Sequence, residues 1–371
     1  MADINKQTKK RIKLIVGLVL LAAFIAAGLF VALRKTSQFK YTAGDDGVTI
    51  DKYVGAEKQV TIPAEIDGKP VTAIGRFCFA GCNEVTEVTL PESINRISIY
   101  AFEDCAALTH IDLPAGLTEI AECAFRNSGL TAVTLPEGVT AVRKQAFAGC
   151  ASLESVDFPE GLTSIEDEAF MGCASLAAAE LPQMMDEVGP GAFMNCTSLT
   201  NMVFPMFTTA PDNEDDRRIS VQPRTFKGCT ALETVELCGV THWIDEEAFM
   251  GCTALQSITA EGGCWVGKRA FEDCSSLKTF DFGGDVLGWI MDEAFKNCSA
   301  LETVENTDKL KFICEGAFAG CSALKSMEIS PVTESIGEGA FEGCPNLTLI
   351  ASEGSLAWNY AKQNGVNVRQ P

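Results

Sequence analysis

One phenylalanine returns through this chain at a nearly fixed interval, and that interval decides what the chain can become. The row runs Phe79, Phe102, Phe125, Phe147, Phe170, Phe193, Phe226, Phe249, Phe271, Phe295, Phe318 and Phe341, with steps of 22–24 residues and a single step of 33 after Phe193. Self-similarity at this period marks a solenoid: each unit is too short to bury its own apolar side, so the core exists only between stacked units. Cys stands three residues after the Phe in eleven of the twelve units, with Ser128 as the exception, and Ile or Val stands five residues before it in all twelve.

Between one Cys and the next Ile or Val the sequence alternates, as in "LTHIDLP" (108–114) and "LESVDFP" (153–159). Alternation over a few residues predicts a short strand with one face buried, here Ile111 and Leu113 inward and His110 and Asp112 outward. The Pro that follows in the early units ends the strand, because it has no N–H for a ladder. The Ile or Val before the Phe predicts a second short strand on the opposite side of the coil. The residue just before the Cys position is Gly, Asn or Asp in all twelve units, from Gly81 to Gly343. These are the residues that tolerate positive φ, so a left-handed turn is expected there.

The run L-x-x-V-x-L-P-x-G-L-T-x-I-x-x-x-A-F-x-G-C resembles the BspA-like subclass of leucine-rich repeats, found on bacterial surfaces and in some protists. Residues 60–350 carry the resemblance. The lead-in at 41–75 resembles that family's N-terminal cap, and "EGSLAWNYAKQNGVNV" (353–368) its C-terminal cap. The tail also reads as a helix from its own residues, with Ser355 as N-cap and Gly365 as stop. The resemblance implies an α/β-type repeat solenoid, mostly short β-strands and turns, of about twelve coils. It also implies surface binding, such as adhesion to matrix proteins or other cells, usually without catalysis.

The first forty residues are a separate object. "LIVGLVLLAAFIAAGLFVAL" (14–33) holds no charge, and as a helix it would be about 30 Å long, the thickness of a hydrocarbon core. The bland reading is a cleaved signal peptide, whose apolar region is shorter and ends at small residues; this one ends in "LRK", which favours an uncleaved anchor. Lys6, Lys9, Lys10, Arg11 and Lys13 precede it, which keeps the N-terminus in the cytoplasm. The expected organisation is a cytoplasmic tail (1–13), a transmembrane anchor (14–33), a juxtamembrane segment with the N-terminal cap (34–59), the solenoid (60–350) and a C-terminal cap (351–371). The expected location is the cell membrane, single-pass, with the repeats outside.

Charge and cysteine usage exclude several functions. The chain has net charge −21, and residues 41–371 alone hold 21 basic and 49 acidic residues, a net of −28. Nucleic acid, which needs a basic face, is not an expected partner. The sixteen cysteines contain no C-x-x-C pair, and the two histidines, His110 and His242, lie six coils apart, so no zinc set is expected. Identical positions in stacked coils aim their Cβ atoms in parallel, poorly placed for disulfides. The Cys row therefore reads as a small buried wedge beside the Phe. No metalloprotease, nucleophile-elbow, phosphate-loop or dinucleotide motif occurs; no enzyme activity, cofactor or metal is expected.

Two outward rows are the candidate sites. The first follows each Cys on strand one and contains Asp112, Asp157, Glu180, Glu236, Asp281, Glu305 and Glu328, an acidic stripe on the concave face. It reads either as ordinary solvation or as a surface for a basic protein or a divalent cation, since like charges side by side on strands are costly. The second precedes the Ile or Val of strand two and becomes Trp243, Trp265, Trp289 and Phe312 in consecutive coils. Two readings stand: an exposed ladder for protein docking or glycan stacking, or rings laid over a neighbouring loop as lateral core. The long step places an insertion in 205–223, beside these coils. The sequence thus predicts a membrane-anchored extracellular protein that binds a protein or cell-surface ligand. A structural envelope protein without a specific ligand is the alternative, and a glycan-binding module a more distant one.

Overall fold

The computed structural model describes residues 37–182, 184–204, 206–207, 219–261, 265–283 and 288–371. The expected tail and anchor (1–33) and most of the insertion lie outside them. Among the described residues no helix is long and apolar enough to cross a membrane. The described residues form a coil of short, mostly parallel strands, in which strand one of a turn pairs with strand one of a neighbouring turn over several stretches. Examples are Glu87–Thr89 with His110–Asp112, and Thr279–Asp281 with Thr303–Glu305. Strand two repeats this on the other side, as in Arg96–Ile97 with Glu119–Ile120. Most of the strands are two to five residues long because alternation lasts only that long before a turn residue intervenes; Val48–Tyr53 and Lys69–Ile74 have six and Thr234–Ile244 eleven.

The Phe row forms the axis of the core. All eleven neighbouring pairs stack, with centroids 5.0–5.9 Å apart and planes within 1–12°. This is the strand spacing of about 4.8 Å imposed on a ring that cannot avoid its copy above and below. Tyrosines continue the stack at both ends. Tyr53 stacks on Phe79 at 5.1 Å and its hydroxyl accepts from the Glu57 backbone N–H. Buried Phe39 packs beyond it, tilted by 46° at 5.7 Å. Tyr360 meets Phe341 edge-on at 6.0 Å. Tyr53 makes an additional coil, so the solenoid has about thirteen turns, one more than the twelve expected from the Phe count. The α/β-type expectation is corrected as well: the regular structure is a β-solenoid with one small helix, Leu356–Asn364, in the C-terminal cap. Ser355 caps that helix by accepting from the Trp358 N–H, and Gly365 ends it at φ 70°.

All twelve positions before the Cys row have positive φ, as their residue types predict. The ladder that these turns form couples neighbours. Asn127 Nδ2 donates to Asp104 Oδ1 at 2.9 Å, and the other end of the Asn127 amide lies where a side chain on Gly149 would go: an added Cβ there would be 2.0 Å from Oδ1. Asn297 is placed between Asp273 and Gly320 in the same way. Gly149→Ala should therefore cost about 1–2 kcal/mol from the left-handed backbone alone. Adding Asn127→Ala should recover only the part due to the clash. Urea melts of the two variants test this; equal stability of Gly149→Ala and the parent would refute it.

A second left-handed position, two residues before each Phe, has no signature in residue type. It holds Phe77, Tyr100, Cys123, Gln145, Glu168, Arg224, Glu247, Arg269 and Glu293, with Gly in the remaining three coils, all at positive φ. The two left-handed residues bracket the Phe and make the corner that turns it inward.

The Cys row is buried and unpaired, as expected, but it is more than a wedge. Ten of the row's thiols donate to the carbonyl of the Phe in the preceding coil, from Cys105 to Phe79 through Cys344 to Phe318, at 3.1–3.3 Å. Each bond ties one coil to the next. Ser128, the exception in the row, sits 3.3 Å from the Cys150 sulfur.

Candidate functional site

Strand one places Asp112, Asp157, Glu236, Asp281, Glu305 and Glu328 on its exposed face, each preceded by a buried residue. Their spacing is set by the register. Asp112 opposes Thr89, and Asp157 opposes Thr134 and accepts from its hydroxyl at 2.9 Å. Glu236 stands between Val203 and Thr259. Asp281 and Glu305 are direct neighbours. Asp281 is held locally, accepting from Asn306 Nδ2 at 2.6 Å and from the Gly283 N–H at 2.7 Å. The expectation that Glu180 lies on a strand is corrected: residues 176–182 make no ladder, and Glu180 is exposed on an irregular segment. Its local sequence, "LAAAELP", lacks the β-branched residues that favour a pleated surface. In the final coil Ile350, not Ala351, falls opposite Glu328, because that coil is one residue shorter there. The stripe is therefore a set of separate carboxylates relieved by Thr and Val, with one contiguous run at its C-terminal end. Among the described residues no group of three or more His, Cys, Asp or Glu converges on a metal position.

Strand two brings Trp243, Trp265, Trp289 and Phe312 into one continuous row. Trp243 and Trp265 are in register with centroids 4.1 Å apart and planes at 63°. Trp265 and Trp289 stack at 4.6 Å and 1°, and Trp289 meets Phe312 at 4.8 Å and 70°. Ser220 pairs with Trp243 at one end and Ser335 with Phe312 at the other, so the row is four rings long and bounded by small residues. All four rings are half-buried. Only the Trp265–Trp289 contact is face-to-face; the other two are edge-on. The segment "CGVTHW" is part of the continuous strand Thr234–Ile244, which joins the two sheets of the coil.

The corner beside these coils carries charges that composition did not point to. Lys227 Nζ lies 2.7 Å from Glu247, Arg269 bridges Glu247 at 3.0 Å and Glu293 at 3.7 Å, and Lys296 pairs with Glu293. The Lys227 hydrogen bond holds the Glu247 carboxyl below its ordinary range, and the Lys296 bond does the same for Glu293. At the other end of the same face Phe77, 44% exposed, stacks on Tyr100 at 4.8 Å and 3°, with the Arg76 guanidinium 5.0 Å from the Phe77 ring. Both features occupy the second left-handed column. Reading that column down the chain, instead of each coil along its length, would have found them.

The BspA type leucine rich repeat region profile, which carries six copies of the repeat, matches residues 58–141, 118–213, 215–287 and 288–359. This chain belongs to the BspA-type leucine-rich repeat family. Solved leucine-rich repeat proteins share the fold. One from Bacteroides ovatus is 22% identical, with a TM-score of 0.55 over 90% of this chain and 98% of its own. The pneumococcal vaccine antigen PcpA is 17% identical, with a TM-score of 0.52 over 90% and 97%. A third, from Eubacterium ventriosum, is 18% identical, with a TM-score of 0.51 over 83% and 93%. No curated protein matches the chain. The BspA-type repeat accounts for the Phe, Cys and Gly/Asn/Asp columns, while the aromatic row belongs to four coils of this chain alone among its twelve.

Proposed function

We propose that this BspA-type protein is a membrane-anchored surface receptor or adhesin that holds a protein partner on the aromatic row of coils eight to eleven, without catalysis. One observation carries the reading. Four large rings occupy a column that the other coils fill with Ala, Ser, Arg or Glu, so the fold does not need them there. Aromatic side chains with an apolar body and a polar edge are the residues that anchor protein interfaces. The four rings are half-buried and already packed on one another, an amphipathic patch of the kind that anchors a protein partner. The apolar run at 14–33 supports the anchor.

The test is adhesion of cells that display the chain to immobilised collagen, fibronectin and laminin and to a layer of the same cells. Replacing Trp265 and Trp289 together by Ala should reduce retained cells about ten-fold or more, the effect of losing interface anchors. Undiminished retention, or retention by neither form on any of these surfaces, counts against the proposal.

A further inference from the structure

The lateral strip from six to two residues before each Phe contains the aromatic row and the second left-handed column. Numbering coils 1 (Phe79) to 12 (Phe341), the strip's net charges run +1, +1, −2, +2, −3, −1, +1, −3, +2, −2, −1, −1. Folded back on itself at coil 6, this series opposes unlike signs at every step: 1 with 11, 2 with 10, 3 with 9, 4 with 8, and 5 with 7.

The match extends to columns. Arg76 shares its column with Glu315, and Glu122 with Lys268. Arg143 falls opposite Asp245, Lys144 opposite Glu246, and Glu168 opposite Arg224. In the aromatic column, the exposed Arg96 falls opposite Trp289. Trp243 and Phe312 fall opposite Ala141 and Ala73, large rings against small residues, and Phe77 falls opposite Gly316. Pairing within the chain explains part of the alternation: Arg143 bridges Glu166 at 2.6 Å and Lys144 bridges Asp167 at 3.3 Å. It does not explain the change of phase within coils 3 to 10, by which coils 3 and 5 are negative on one side of coil 6 and coils 8 and 10 on the other. Arg76, Arg96, Glu246 and Glu315 are exposed.

We infer that this strip is an antiparallel interface with a second copy of the same chain, its two-fold axis crossing coil 6. The inference rests on the reading of the aromatic row as a docking surface and names its partner. A two-fold contact must be self-complementary, each residue meeting its counterpart's partner twice; the strip has that property in charge at the five coil pairs flanking the axis and in size at Trp243, Phe312 and Phe77, while Glu187 meets its own copy at the axis and Trp265 falls opposite Glu119. Eleven coils at about 4.8 Å make a strip roughly 50 Å long. Arg96 over Trp289 adds a cation–π contact in each half.

The experiment is the mass of the full-length chain in detergent micelles by light scattering. A dimer is expected that dissociates as salt rises from about 50 mM to about 0.5 M, since its ion pairs are rim-exposed and screened. Arg76→Glu alone and Glu315→Arg alone should each weaken dimerisation about ten-fold. The two reversals in one chain should restore it, which a merely destabilised chain would not do. A monomer at about 100 µM, far above the Kd of a standard interface, overturns the inference, and so does a dimer that neither reversal affects. Row-dependent retention on matrix proteins by a monomeric chain would leave the docking surface standing and remove only the second copy as its partner.

Discussion

Between about pH 8.5 and pH 10 the chain is expected to lose its fold in a steep, reversible transition, because a free thiol has a pKa of about 8.5 and the folded chain forbids its ionisation. Burial pushes Cys105 and Cys229 up to about 12 and Cys150 up to about 11, and holds Cys173, Cys196, Cys252, Cys274 and Cys298 well above the ordinary range. The sign follows from which state binds the proton. The fold keeps these thiols protonated, so their full contribution is present below the unfolded pKa and is lost as pH rises toward the folded values. Each thiol then costs about 1.4 kcal/mol per pH unit, and eight together about 11 kcal/mol per unit, comparable with the whole stability of an ordinary domain. Circular dichroism against pH, with thiolate absorbance followed in parallel, measures it. Thiolates that titrate near 8.5 while the strands persist would show that the row is not sealed. At neutral pH the same burial predicts slow labelling of the row, led by its half-exposed ends, Cys82 and Cys344.

Phe170→Ala carries the second large effect. Phe170 is fully buried, stacked on Phe147 at 5.5 Å and Phe193 at 5.6 Å, with Phe158 edge-on at 5.6 Å. Truncation should cost about 3–5 kcal/mol, transfer and cavity together. In a solenoid that loss stays local, because each coil touches only its neighbours. A single cooperative melt should therefore split into two, and limited proteolysis should cut first near residue 170. A single transition shifted as a whole would mean that the array is more cooperative than nearest-neighbour coupling allows.

The columns that recur in residue type were legible from sequence: Phe, Ile or Val, Cys, and the Gly/Asn/Asp turn. Each answers a steric demand that few residues meet, so each leaves a spelling. The corner two residues before the Phe makes an equal demand on the backbone but is written with Phe, Tyr, Gln, Glu and Arg, whose strain is absorbed by packing above and below. Tyr53 was hidden for a different reason, since it continues the ring stack without the Cys that follows the others. The thiol-to-carbonyl bonds were invisible because nine of them join residues 25–27 apart and the tenth, where the insertion intervenes, residues 36 apart, a relation that only stacking creates. The aromatic row was found as a column; its half-burial was not, because that depends on how rings turn toward each other.

The capped ends of the ring stack give the array a fixed length, about thirteen strand spacings or some 60 Å. Chains held by N-terminal anchors in one bilayer all point the same way and cannot lie antiparallel. The pairing inferred here therefore closes only between chains that approach from opposite directions. With the anchor proposed above, the solenoid would be a ruler: it would set the gap between two cells, and each coil added or lost would move the two membranes by the width of a single strand.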